Sequence, residues 1–208
     1  MRALISLSHE RTAEPVRGKN KIKRVNGLAL VRDPAVIDSI ILHQTACHFG
    51  AGKGQPRYRR ALDVAAHCVA FNTGEVVLCT PLLWHVNHAN GFNATSLGLE
   101  IEGKFPGSKF RKSKGFEDIL TEDALWAACE GLSLLVKGGR AMGMPIKYIL
   151  AHRQSSSTRR ADPGWEIWDK VALKYGREQL GLIPRPDLVD RDGRPIPKEW
   201  DEAATALY

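Results

Sequence analysis

The 208-residue sequence predicts one α/β domain, and two observations carry that prediction. Residues 39–42 and 148–150 are short apolar runs with the length of buried strands; His43 directly follows the first, and Ala151 and then His152 follow the second. Residues 96–101 alternate between apolar and other side chains, as a strand does. Because loops at strand ends carry the chemistry of α/β folds, the same pattern indicates where a site would form.

Composition is that of an ordinary globular protein, with 43% hydrophobic and 25% charged residues. No apolar run approaches the roughly 20 residues that span a bilayer. The N-terminal apolar stretch is too short for a secretory signal, so we expect synthesis in the cytoplasm without conventional export; a target outside the cytoplasm would require release or delivery by another agent. A net charge of +7 favours an anionic partner such as nucleic acid, a membrane surface or a cell-wall polymer, although a generally basic protein is an equal alternative.

The first half of the chain is predicted as follows. Residues 1–36 form an irregular basic arm, with a short strand at 28–31, and the first core strand covers 39–43. The glycine-rich residues 49–56 lack the spacing of a phosphate-binding loop and are interpreted as a flexible loop over the site. A helix is predicted at 57–65. Strands at 67–71 and 75–79 form a hairpin through Asn72-Thr73-Gly74.

In the second half, a basic loop at 104–115 follows the strand at 96–103. Thr121 is the predicted N-cap of a helix that ends at Gly138-Gly139. A strand precedes His152, and a helix runs from Pro163 to about residue 175. We therefore divide the chain into an arm (1–36), a main domain (37–180) and an extended tail (181–208) with a short helix near 199–207.

Two histidines and one carboxylate form the candidate site. His43 and His152 follow two strands, and Asp162 closes the loop after His152. Neutral imidazoles and a carboxylate are ligands of a catalytic zinc, which keeps one position for water. The alternative is that each histidine is an ordinary polar residue at a strand end, and spacing alone leaves both open. Glu100 is a candidate general base; otherwise it faces solvent or pairs with an arginine.

The chain resembles a known family. The motifs that carry the resemblance are His43, residues 66–68, 84–85 and 96–103, His152 and residues 162–164. The chain is similar, over about residues 37–175, to the zinc-dependent N-acetylmuramoyl-L-alanine amidases of the type-2 amidase and peptidoglycan-recognition-protein superfamily. The resemblance implies a mixed sheet flanked by helices, with zinc at one edge of the sheet. It also implies hydrolysis of the amide between N-acetylmuramic acid and L-alanine of the stem peptide.

The resemblance assigns roles residue by residue. His43, His152 and Asp162 would bind Zn²⁺, and Glu100 would be the general base. Arg160 stands where the family usually has a lysine, and because arginine keeps its proton its role would be electrostatic. Ala66 stands where some phage members have a tyrosine. The residues implied to line the substrate groove are Gln44, His67, Trp84 and His85.

Three alternatives to a lytic amidase stay open. A non-catalytic peptidoglycan receptor would usually lack a complete ligand set, which this chain has. A cytoplasmic muropeptide-recycling amidase would share the site. A nucleic-acid-binding protein or metal nuclease would suit the positive charge, but no nucleic-acid motif is present, and the basic segments 19–24 and 110–114 are interpreted as solvated loops.

Overall fold

Seven strands form one mixed β-sheet in the computed structural model, which describes residues 2–11, 21–50, 54–110 and 117–207. The spatial order is β1-β6-β5-β7-β4-β8-β9, and every neighbouring pair is parallel except β5 and β6. Two further strands, β2 and β3, form a separate hairpin. In chain order the strands are β1 (Ala3–Ser6), β2 (Arg24–Val25), β3 (Leu28–Ala29), β4 (Ser39–Gln44), β5 (Cys68–Ala70), β6 (Glu75–Leu78), β7 (Ser96–Ile101), β8 (Tyr148–Ala151) and β9 (Ile183–Pro184).

One face of the sheet is covered by helices, which confirms the predicted α/β architecture. Helix α1 (Glu122–Ala141) begins at Thr121, whose side chain accepts a hydrogen bond from the Ala124 amide, as the N-cap prediction requires. A second helix, α2, runs continuously through Trp165–Ile167, a π-helical stretch Trp168–Arg177, and Glu178–Leu180. Both helices pack on the core built by alternate residues of the central strands, including Ile40, Leu42, Leu97, Leu99 and Ile101.

The other face carries the polar groups that matter for function. Because side chains alternate along a strand, the residues between the core positions, among them His43, Gly98 and Glu100, point to the opposite face from Leu42 and Leu99. The 3₁₀ helices Arg57–Asp63 and Asn90–Phe92 cover parts of this face, where Ala61 packs with Val69 and Val77 and Phe92 packs with Ile41.

The N-terminal segment is more ordered than its predicted irregular arm. Strand β1 adds to the edge of the sheet beside β6, and Leu7 packs in a small core with Val69, Phe71 and Val77. The predicted strand at 28–31 is shorter and pairs locally with β2. The predicted helix at 57–65 is a 3₁₀ helix that ends at Asp63. Sequence periodicity missed β1 because four residues at an edge give too short a pattern.

The C-terminal tail contains no helix near 199–207 among its described residues, so that prediction is wrong. The Asp201 side chain accepts from the Ala203 amide, a local turn that competes with a helix, and Pro197 bridges to Ala206. The tail instead contributes β9 to the sheet and buries Trp200. Parts of the predicted loops, at 19–20, 51–53 and 111–115, lie outside the described residues. Within the described part, no helix is both long and apolar enough to cross a membrane.

Trp200 packs the tail against the rest of the domain, and its substitution tests how much these contacts stabilise the fold. The indole is 1% exposed, donates a hydrogen bond to the Gly107 carbonyl at 2.8 Å, and lies 4.8 Å from the Arg153 guanidinium. We expect Trp200→Ala to lower the free energy of unfolding by roughly 3–5 kcal/mol, as for other buried aromatic residues. Urea unfolding measures the change, with the exposed Leu207→Ala as control; a Trp200→Ala variant as stable as the wild type would show that the Trp200 contacts contribute nothing.

Candidate metal centre

His43 and His152 lie side by side because their strands are neighbours. Strands β4 and β8 run parallel with Leu42 opposite Ala151, so the next residue of β4 and the first residue after β8 reach the same edge of the sheet. The two imidazole ring centres are 4.3 Å apart. The sequence pattern of two strands ending in histidine thus produces an actual juxtaposition.

Asp162 reaches the histidines because the loop after His152 folds back on itself. The Arg153 amide donates to the Asp162 carbonyl at 3.1 Å. One carboxylate oxygen, Oδ1, accepts from the Gln44 amide at 2.9 Å, and Oδ2 lies 2.9 Å from His152 Nδ1. One possible ligand atom from each of His43, His152 and Asp162 lies within 4.8 Å of the other two.

Residues of the C-terminal tail hold the start of this loop through hydrogen bonds to Gln154. Gln154 is fully buried, and its Oε1 accepts from the Ala151 amide at 2.8 Å. Its Nε2 donates to the carbonyls of Arg185 and Leu188 at 2.7 and 2.6 Å. The loop that carries two candidate ligands is therefore fixed both by the sheet and by residues after the last helix.

A cavity of about 410 Å³ opens over the three candidate ligands. A second, more polar cavity of about 310 Å³ adjoins it and shares Asn87, His88, His152 and Arg159 with it. The first cavity is lined by Lys21, His43, Gln44, Thr45, Cys47, Phe49, Asp63, Val64, Ala65, Asn87, His88, Glu100, His152, Arg159 and Asp162. An elongated polar ligand could therefore lie across the ligand cluster.

Glu100 lines the same cavity as the candidate ligands. It is the register partner of His43 in the β4–β7 pairing, and its side chain is partly buried. Burial and, to a smaller extent, repulsion from Asp162 raise the pKa of its carboxyl to about 8, while Arg159 acts in the opposite direction. A bound divalent cation nearby would also favour the charged carboxylate. A carboxyl group that is poised to gain and lose a proton is suited to general acid–base chemistry.

The donor set fits a zinc ion. Burial lowers the pKa of His43 well below its usual value, and its neighbours His152, His88 and Arg159 act in the same direction. His43 is therefore neutral at physiological pH, which is the protonation state that binds metal. Two imidazoles, one carboxylate and an open cavity match a catalytic zinc site with three protein ligands and one exchangeable position.

Arg159, rather than the predicted Arg160, lines the cavity. Arg160 is exposed and is absent from the lining of both cavities, and its carbonyl accepts a hydrogen bond from the buried Arg153 side chain. Arg159 lines both cavities and acts electrostatically on His43 and Glu100. The family resemblance selects Arg160 by its spacing from Asp162. The path of the loop instead brings Arg159 to the cavity.

Gln44 is the one predicted groove residue that lines the cavity, and its groups are already engaged. Its side-chain Nε2 donates to the Ala161 carbonyl at 2.7 Å, and Oε1 accepts from the Phe105 amide. Together with its backbone bond to Asp162, these contacts make Gln44 a support for the loop that carries Asp162.

His67, Trp84 and His85 do not line either cavity, so the structure does not place them in the predicted groove. His67 is fully buried; its Nδ1 accepts from the Gly98 amide at 3.0 Å, and its Nε2 lies 3.1 Å from the Trp84 carbonyl. Trp84 and His85 pair with the N-terminal segment, at Val31 and Leu30. Through these backbone contacts, Trp84 and His85 hold residues 30–31 of the arm against the domain.

Comparisons with known proteins bear on what this arrangement does. The profile of the family Amidase_2, described as N-acetylmuramoyl-L-alanine amidase, matches residues 33–165. No curated protein matches the chain in sequence.

Solved structures share the fold. An endolysin N-acetylmuramoyl-L-alanine amidase, LysCS from Clostridium intestinale URNW, superposes with a TM-score of 0.52 at 13% identity, covering 88% of this chain and 98% of its own. The endolysin of Thermus scotoductus MAT2119 bacteriophage Ph2119 gives 0.55 at 19% identity, covering 83% and 98%. Bumblebee PGRP-SA gives 0.54 at 16% identity, covering 89% and 100%.

Proposed function

The chain belongs to the Amidase_2 family of N-acetylmuramoyl-L-alanine amidases, and we propose that it is a zinc-dependent enzyme that hydrolyses the amide between N-acetylmuramic acid and L-alanine in peptidoglycan. One observation carries the proposal. The ligand atoms of His43, His152 and Asp162 lie within 4.8 Å of one another beneath an open cavity that also contains Glu100. A complete donor set beside a candidate general base favours a hydrolase over a non-catalytic receptor.

The proposed chemistry divides between the ion and the protein. His43, His152 and Asp162 would hold Zn²⁺. When bound, the ion supplies Lewis acidity, which makes water more acidic and an amide carbonyl more electrophilic. Glu100 accepts a proton from the water that attacks the carbonyl carbon, and it returns that proton to the L-alanine nitrogen as the C–N bond breaks.

Arg159 is proposed to supply positive charge to this reaction. Arg159 lines both cavities, and its positive charge can stabilise the negative charge that develops on the carbonyl oxygen. Arginine does not give up its proton, so this role is electrostatic. The family resemblance points to Arg160 for the same task, and the two neighbouring residues provide a direct comparison.

The Arg159→Ala and Arg160→Ala variants are therefore expected to differ. Removing the cavity-lining Arg159 should lower turnover about tenfold, a modest loss because solvent screens an exposed charge. Because Arg159 lowers the pKa of Glu100, its loss raises that pKa, and the acidic limb of the pH–rate profile moves to higher pH. Arg160→Ala is the matched control. A larger loss and a larger shift in Arg160→Ala would return the role to Arg160.

A lytic role on the cell wall is the proposed biological setting. The net charge of +7 favours approach to an anionic wall polymer. The two adjoining cavities, rich in polar side chains, suit an extended substrate with sugar and peptide parts. A recycling amidase acting on soluble muropeptides, or a receptor that binds without cleaving, are the alternatives that an assay must separate.

Digestion of purified peptidoglycan, with and without a zinc chelator, tests the proposal. Mass spectrometry should find free stem peptides with a new L-alanine amino terminus, lost on chelation and restored by Zn²⁺. Binding to the wall without cleavage, at confirmed zinc occupancy, would favour a receptor. Cleavage of soluble muropeptides alone would favour a recycling enzyme.

A further inference from the structure

A buried chain of polar groups leads away from His43 through His88, which also lines the cavity. His43 Nε2 lies 3.0 Å from His88 Nδ1, and His88 Nε2 lies 3.2 Å from Ser96 Oγ. Ser96 Oγ in turn lies 2.7 Å from the Phe92 carbonyl oxygen. The side chains of His43, His88 and Ser96 are all buried, at 2%, 7% and 0% exposure, so these contacts have few competing partners in solvent.

The end of this chain fixes the direction of every hydrogen bond in it. The Phe92 carbonyl can only accept, so the Ser96 hydroxyl donates its single proton there. Ser96 Oγ then accepts from the N–H of His88 Nε2. A neutral imidazole has one donor and one acceptor nitrogen, so His88 Nδ1 must accept, and its donor is the N–H of His43 Nε2.

We infer that His88 is a positioning residue that holds His43 in the tautomer protonated at Nε2, which leaves the lone pair of His43 Nδ1 for the metal. This inference rests on the proposed zinc function and adds a residue to it. Both nitrogens of His88 are engaged, by His43 and Ser96, so His88 supports a ligand and is not itself part of the ligand cluster. An outer partner of this kind fixes ring orientation as well as tautomer.

The strand beside His88 is built to admit its ring. A Cβ atom on residue 98 would lie 2.8 Å from His88 Nδ1, so only glycine leaves room for the ring at this point of β7. The amide of the same Gly98 donates to His67, whose ring is perpendicular to that of His88 with centres 5.8 Å apart. Gly98 and His67 thus confine His88 against the face of the sheet where β7 and β4 pair.

The tautomer can be measured directly in the metal-free protein. Long-range ¹H–¹⁵N correlation spectra of uniformly labelled protein distinguish the two neutral tautomers of each histidine. We expect His43 and His88 both to carry the proton on Nε2. A proton on Nδ1 of His43 would overturn the inference, and this measurement needs no variant that could fail to fold.

Variants at position 88 test the consequence for metal binding. His88→Leu removes the acceptor, and zinc affinity, measured by competition with a fluorescent chelator, should fall roughly 10–100-fold, as for other outer partners of metal ligands. His88→Asn can place its Oδ1 near the position of Nδ1, and it should recover much of the affinity. Thermal unfolding of the metal-free variants controls for folding, and the exposed His9→Leu controls for loss of a histidine.

The possible outcomes separate this inference from the proposed function. Equal zinc affinity in wild type and a folded His88→Leu variant would overturn the positioning role, as would equal losses in His88→Leu and His88→Asn. If the tautomer and the affinities behave as expected but peptidoglycan stays intact, the amidase proposal fails while the role of His88 stands.

Discussion

His152→Ala is expected to leave the protein folded, without stoichiometric zinc and without detectable amidase activity. The imidazole is one of three candidate ligands, and its Nδ1 lies 2.9 Å from Oδ2 of Asp162, another of the three. Alanine would remove a donor and also leave Asp162 without this partner. The loss should therefore exceed the roughly 10–100-fold typical of residues that only support a metal site.

Metal content by elemental analysis, activity by mass spectrometry of digested peptidoglycan and unfolding temperature together make this test specific. His9→Ala is the matched control, because His9 is an exposed histidine far from the cluster in sequence and absent from both cavities. A His152→Ala protein that keeps full activity would remove the metal assignment altogether. A variant that loses activity but keeps one zinc per chain would show that the ion is bound elsewhere.

The sequence was sufficient to predict the parts of the site that follow from strand order. Two apolar strands that lead into histidines could lie side by side, and the parallel register of β4 and β8 does place His43 and His152 together. The alternation around Glu100 likewise predicts its side of the sheet, since Leu99 and Ile101 pack in the core. Local periodicity carries this information because the strands are regular and buried.

Contacts between distant segments set the rest of the site, and local sequence patterns do not contain them. Which arginine of the loop after His152 faces the cavity depends on how Arg153 and Gln154 bind that loop to Asp162 and to the tail. Trp84 and His85 are predicted to line the substrate groove, but it is Asn87 and His88, a few residues further on, that line the cavity. The order of donors and acceptors from His43 to Phe92 becomes visible only once all four groups are placed together.

Glu100→Gln is expected to keep zinc and to lose roughly 10²–10⁴-fold in turnover, the usual contribution of a general acid–base residue. Glutamine preserves the size and polarity of the side chain but cannot take a proton from water. Activity of the wild type should rise with pH as Glu100 loses its proton, and that limb should disappear in the variant. If Glu100→Gln loses zinc instead, Glu100 is a ligand or its support, and the assigned role is wrong.

Stability of the metal-free protein gives an independent reading of the same carboxyl group. Burial raises the pKa of Glu100 from 4.5 to about 8, so between these values the folded state holds a proton that the unfolded state has released. The contribution of Glu100 to stability is therefore fully present below pH 4.5 and is lost as pH rises through about 8. Glu100→Gln has no such dependence, so its metal-free form should gain stability relative to wild type as pH rises across that window. Urea unfolding at pH 5, 7 and 9 measures the difference, and parallel curves for the two proteins would show that Glu100 is charged throughout and its surroundings are more polar than the cavity geometry implies.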